Sequence, residues 1–109
     1  MTQLPGAATA LVEETKVLDY LLNSGHPQNG GKSAYFQAFG FCGDQWTVMR
    51  NALIDHATVN HIAGSSQSPH GTKHTVRCSI QTPDRRNPCI TTVWIVDGSR
   101  PPRLVTCYP

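Results

Sequence analysis

Residues 73–81 read "KHTVRCSIQ" and residues 89–96 read "CITTVWIV". The first stretch alternates cleanly. His74, Val76, Cys78 and Ile80 fall on one side, and Lys73, Thr75, Arg77, Ser79 and Gln81 on the other. That period of two belongs to a strand with one face buried and one wet. The second stretch is apolar at odd and even positions alike, as a central strand is. Between them "TPDRRNP", residues 82–88, is a turn or short loop, and "DGSRPP", residues 97–102, is another. "RLVTCY", residues 103–108, is then the last strand, and "HIAGSS", residues 61–66, a short edge strand before the first. The C-terminal half is expected to be an antiparallel meander of three or four strands.

Upstream the period changes. "ALVEETKVLDYLL", residues 10–22, places Leu11, Leu18, Leu21 and Leu22 at helical spacing, and Asn23-Ser24-Gly25 ends it. A second helix is expected over residues 32–39, closed by Gly40. Asp44 is a candidate N-cap for a third, residues 45–59, whose buried stripe would be Trp46, Met49, Leu53 and Ala57. The fold class is therefore α+β: about three N-terminal helices packed on one face of the meander. The chain reads as a single domain over residues 1–109, with residues 1–9 as a flexible N-terminus.

Composition narrows the function classes without choosing one. The chain has 109 residues, 39% hydrophobic and 15% charged, with a formal net charge of +2. Its charge content is too low for a disordered polyelectrolyte, and a basic site would have to be local. No run of about 18 apolar residues occurs, and the start lacks a basic and then apolar leader, so neither a membrane span nor a secretory signal is expected. The four cysteines, Cys42, Cys78, Cys89 and Cys107, form no C-x-x-C pair. They read as small buried hydrophobes in a reducing, cytoplasmic protein.

"SGHPQNGGKS", residues 24–33, approaches the phosphate-gripping loop of nucleotide hydrolases. That loop needs G-x-x-x-x-G-K-[ST] between a strand and a helix. Here Gly25 stands one residue too far from Gly31, the required position is His26, and a helix precedes it. What survives is a helix opening at Gly31-Lys32-Ser33, with Lys32 as a candidate phosphate contact.

The solvent face of the meander is a second candidate. If His74, Val76, Cys78, Val93, Ile95, Val105 and Cys107 face the core, alternation leaves Lys73, Thr75, Arg77, Thr92, Trp94, Thr106 and Tyr108 outside. Cations there would hold phosphates, and rings would stack the bases of single-stranded RNA. His56 lies within a turn of Leu53 and Met49 and reads equally as a core group or a catalyst; His26 sits in a loop. No histidine pair has metal spacing with a third ligand nearby, so neither a metal nor a cofactor is expected. Cleavage of RNA by its own 2′-OH needs only a base, an acid and a cation, which histidine, lysine, arginine and tyrosine supply.

Three stretches carry a resemblance: "LDYLLNSGHPQNGGKSAYFQAFGF" (residues 18–41), "TPDRRNP" followed by "TTVWIVDG", and the closing "PRLVTCYP". From about Lys16 to Pro109 the chain resembles a small bacterial family of domains of unknown function. Its members open on Asp-Tyr-Leu-Leu-Asn, continue through His-Pro, a Gly-rich turn and lysine, and close on Arg-Leu-Val-Thr-x-Tyr-Pro. The sequence departs from that pattern at Arg85, where the family has glycine, and at His74, where relatives carry an aromatic residue. More distantly, helices followed by a meander ending in Thr and Tyr are similar to the barnase–EndoU–RelE group of ribonuclease toxins. That likeness implies Thr106, Tyr108 and Arg103 on the last strand, with His56, His26 and Lys32 from the helical half, as site residues. It also implies RNA as substrate and a cognate antitoxin or immunity protein as partner. The alternative is a non-catalytic binding module: an antitoxin, immunity protein or adaptor.

Overall fold

The computed structural model describes residues 3–23 and 31–109. It is an α+β fold with three helices and a four-stranded antiparallel sheet. Helix α1 is short, Glu14–Lys16, and passes directly into a π-helical turn over Val17–Leu21. Helix α2 spans Lys32–Ala38 and α3 spans Trp46–Val59. The strands are β1 (Ile62–Ser68), β2 (Gly71–Ser79), β3 (Cys89–Val96) and β4 (Arg103–Tyr108), in the spatial order β1-β2-β3-β4.

The first helix starts later than its periodicity predicts, because the preceding residues are used by the sheet. Leu11 makes a parallel bridge to Arg103: its N–H donates to Pro102 O at 2.7 Å, and its carbonyl accepts from Leu104 N at 3.0 Å. Residues at the N-terminus are also structural, since Leu4 and Ala7 are buried in the core, where a flexible lead was expected. Without a side-chain cap at Gln45, α3 grows out of the turn Gly43–Gln45, so Asp44 does not act as its N-cap. Its buried stripe is Met49, Ala52, Leu53, His56 and Ala57; Trp46 is only half-buried, with the Arg50 guanidinium 5.4 Å from its ring.

Strand register decides which side chains reach that helix. Val76 pairs with Thr92, and Thr92 pairs with Cys107. All three are fully buried. His56 on α3 bonds Thr92, so this row faces the helix. Trp94 stands on the same face of β3 as Thr92 and is fully buried. The expected alternation therefore holds for β2 at Val76 but not at Cys78, which is exposed, and it fails for β3: Trp94 and Thr92 point inward, Val93 and Ile95 outward. A strand apolar on both faces carries no parity in its own pattern, and the large indole buries more apolar area than a valine would. Its N–H is satisfied inside, donating to Thr92 Oγ1 at 2.8 Å.

β4 is irregular. Val93 pairs with Thr106 and Trp94 with Leu104, leaving Val105 as an extra residue. Such a bulge reverses the parity of everything before it. Leu104 and Cys107 can thus both face the core, while Arg103, Thr106 and Tyr108 all face out. The helical half also does not stay on one face. It runs from α3 around the β4 edge, where α1 and the π-helical turn lie beside Arg103, Leu104 and Val105.

The β2–β3 loop docks onto α2. Gly40 ends that helix at φ 104°, and Pro83 Cβ lies 2.8 Å from where a side chain would begin. Arg86 donates to Ala38 O at 2.7 Å and stands 4.3 Å from the Phe39 ring centroid. Within the loop Arg85 has φ 66°, the left-handed conformation that glycine at this position would adopt without strain. Arg85→Gly is accordingly expected to stabilise the fold by about 0.5–1 kcal/mol, the relief of left-handed strain less the added chain entropy. Urea denaturation read against the parent chain checks it.

Cysteine usage differs from expectation. Cys107 is buried, but Cys42, Cys78 and Cys89 are exposed, and all four are free. Among the described residues no helix is long and apolar enough to cross a membrane.

A candidate anion site at the β4 edge

Lys32, Tyr20, Thr106 and Tyr108 meet where α2, the π-helical turn and β4 converge. Lys32 Nζ donates to Tyr20 OH at 2.8 Å and to Thr106 Oγ1 at 2.9 Å. It lies 4.9 Å from the Tyr20 ring centroid and 6.0 Å from that of Tyr108. Each neighbour is placed by a local feature. Tyr20 sits in the wider π-helical turn, closed by Leu22 N–H on Val17 O at 2.8 Å. Thr106 and Tyr108 are on the outer face because of their pairing with Val93 and Thr91. Lys32 is the first residue of α2, after Gly31 at φ 85°.

Lys16 joins them, four residues before Tyr20, with its ammonium 5.5 Å from the same ring. Lys16, Tyr20 and Arg103, with Glu13, Thr15, Asp19, Leu104 and Val105, line an open cleft of about 380 Å³. The site thus joins a lysine held by hydroxyls to a cleft bordered by a second lysine and an arginine.

Lys16 and Arg103 share their cleft with the carboxylates of Glu13 and Asp19, whereas Lys32 has no carboxylate partner among the described residues. Among the described residues the ion pair present is Arg86–Asp84, away from the site. Lys32, half-buried, spends two N–H groups on neutral oxygens. A partly desolvated ammonium with no carboxylate beside it attracts an anion. The Tyr20 hydroxyl is held below its ordinary pKa, first by the Lys32 hydrogen bond, with burial opposing and the Thr106 hydroxyl and the charges of Lys32 and Lys16 assisting. Cys107, under the same strand, is no nucleophile: burial pushes its thiol up to about 12.

Of the residues singled out by sequence, Lys32, Arg103, Thr106 and Tyr108 come together at this edge. Arg77 shares the outer face, donating to Thr91 Oγ1, whose β4 neighbour is Tyr108. His26 lies outside the described residues. Trp94 is in the core and presents no ring for a base to stack on. His56 is fully buried: Nε2 donates to Cys78 O at 2.8 Å, and Nδ1 accepts from the Thr92 hydroxyl at 3.1 Å. Both ring nitrogens are engaged, so His56 orders the core and has no face toward a substrate. His74, on the same side of the sheet as Val76, bonds Ser65 Oγ through Nδ1 at 2.7 Å.

Sequence reasoning overlooked Tyr20 and Lys16. Their spacing of four places them on one helical face, beside the fully buried Val17 and Leu21. A lysine and a tyrosine on one face of this short amphipathic segment were the available signal.

A family model for a domain of unknown function, DUF6883, matches residues 3–109. No curated protein matches the chain. Among solved structures, the fold is similar to a chain of a contact-dependent growth inhibition toxin–immunity protein complex from Klebsiella pneumoniae 342. The TM-score is 0.75 at 16% identity, over 97% of each chain.

Proposed function

Given that this chain belongs to the DUF6883 family, we propose that it is a small metal-independent ribonuclease toxin of a bacterial conflict or toxin–antitoxin system. The observation that carries this reading is the Lys32 ammonium, bound by the Tyr20 and Thr106 hydroxyls and lacking a carboxylate partner among the described residues. Such a group is suited to a phosphodiester, whose charge grows as the 2′-OH attacks phosphorus. Lys32 would stabilise the charged phosphorane oxygens. Tyr20, as the phenolate that Lys32 favours, would take the 2′-OH proton, and solvent water would protonate the departing 5′-oxygen. Arg103 and Lys16 would hold neighbouring phosphates across the cleft. Thr106 would fix the Lys32 ammonium, and Tyr108, 40% exposed, would offer the stacking ring that Trp94 does not. Arg77 would extend the cationic track across the sheet.

The structural neighbour supports the setting: it belongs to a complex of a toxin with its immunity protein, and a cognate immunity protein or antitoxin is the partner proposed here. Because that complex holds both proteins, a non-catalytic immunity role is the second reading. One experiment separates them. The purified chain is expected to cleave RNA in excess chelator, leaving 5′-hydroxyl and cyclic-phosphate ends, and to leave DNA and 2′-O-methyl RNA intact. Expressed without its partner, it should arrest growth. Intact RNA together with normal growth would reject the nuclease and favour the binding module.

A further inference from the structure

Cys78 and Cys89 stand at the loop end of the β2–β3 ladder, where Ser79 pairs with Cys89 and Cys78 with Ile90. Alternation from the buried Val76 would send the Cys78 side chain toward α3. Instead Cys78 has φ 137°, is exposed, and leaves the next core position to Ile80, which is fully buried. A non-glycine residue rarely holds this backbone, and here it turns the thiol out of the core. Cys89 is exposed as well. The mutual influence of the two thiols, one register step apart, lowers the pKa of Cys78 and raises that of Cys89; a Ser79 N–H and the Arg77 charge also favour the Cys78 thiolate. One sulfur is therefore the better nucleophile, and its neighbour retains its proton.

We propose that Cys78 and Cys89 form a thiol–disulfide exchange site that closes to an intramolecular disulfide with low-molecular-weight disulfides. The Cys78 thiolate attacks one sulfur of the small disulfide RSSR, forming a Cys78–SR bond and releasing RS⁻. The Cys89 thiol then loses its proton and attacks the Cys78 sulfur, forming the protein disulfide and expelling the second RS⁻. Both thiol protons of the protein end on two RSH molecules, so protein dithiol and RSSR give protein disulfide and two RSH. The bond would staple the base of the "TPDRRNP" loop, which holds α2 through Arg86 and Pro83. This assignment is independent of the nuclease reading.

The test uses the intact chain with oxidised glutathione, followed by tryptic digestion without reductant. Cleavage after Arg85 and Arg86 separates the two cysteines, so only a disulfide keeps their peptides together. Wild type is expected to yield the Cys78–Cys89 linked peptide and a raised thermal midpoint. Cys89→Ser should stop at the Cys78 glutathione adduct, and Cys78→Ser should react more slowly, both without the rise. Recovery of separate glutathione adducts on Cys78 and Cys89 in wild type, or linkage mainly to Cys42 or Cys107, would overturn the proposal.

Discussion

Lys32→Met is expected to slow RNA cleavage by about 10²–10³-fold while the chain remains folded, the usual effect of removing one donor from a preorganised oxyanion site. Methionine keeps the length and packing of the stem and deletes the charge. Thr106 and Tyr20 lose a shared donor at a half-buried surface, which water can replace. The effect should fall on kcat more than on KM, because the charge Lys32 meets grows in the transition state. A second readout follows from Tyr20. Its hydroxyl is lowered from the ordinary tyrosine value chiefly by the Lys32 hydrogen bond, so removing that bond must raise it. If tyrosinate is the base, activity rises with pH toward the Tyr20 pKa, and in Lys32→Met the rising limb moves to higher pH. Phenolate absorbance should titrate upward in parallel. Unchanged cleavage and an unmoved titration in a folded Lys32→Met protein would remove Lys32 from the site.

His56→Ala is expected to cost about 3–5 kcal/mol of stability, a large share of what a domain of this size holds. The imidazole is fully buried, and one hydrogen-bonded chain runs through it. Trp94 Nε1 donates to Thr92 Oγ1, the Thr92 hydroxyl donates to His56 Nδ1, and His56 Nε2 donates to Cys78 O. Truncation opens a cavity and strands the Thr92 hydroxyl in an apolar core. Thr92→Val keeps the shape but breaks two hydrogen bonds, leaving the Trp94 N–H and His56 Nδ1 unpartnered, and should cost about 2–4 kcal/mol.

The same imidazole imposes a pH dependence. Burial lowers the His56 pKa below its ordinary value, outweighing the opposing bonds to Cys78 and Ile90 backbone and the Asp55 charge. Above the unfolded value, about 6.5, both states are neutral and this group contributes no slope. As pH falls below it, the unfolded chain takes up a proton that the folded chain refuses. Stability is therefore lost progressively down to the folded pKa, by up to about 1.4 kcal/mol per pH unit. Urea midpoints at pH 7.5 and pH 5 should differ more for wild type than for His56→Ala. Equal differences would show that other groups carry the acid sensitivity.

The contrast between Lys32 and His56 shows what a sequence can and cannot convey. Both are polar residues in or beside helices, and both satisfy the requirements of RNA cleavage by type. Burial alone separates them: one ends at an edge with its charge unopposed, the other is sealed under α3 with both nitrogens occupied. Trp94 is the same lesson for a ring. Nothing in "CITTVWIV" says which face is inner, since apolar side chains occupy both.

Local chemistry was sufficient for the α+β class, the meander order, the inward placement of Val76 and Ile80, the position of Gly40 and the family to which the chain belongs, because each depends on periodicity, turn residues or a contiguous motif. Long-range pairing decided the rest. The Val105 bulge turned Arg103 to the same side as Thr106 and Tyr108, the Leu11 bridge drew α1 to the β4 edge, and the π-helical turn set Tyr20 against Lys32. Those placements join residues as many as 74 positions apart, and no short-range preference of the chain encodes such a contact.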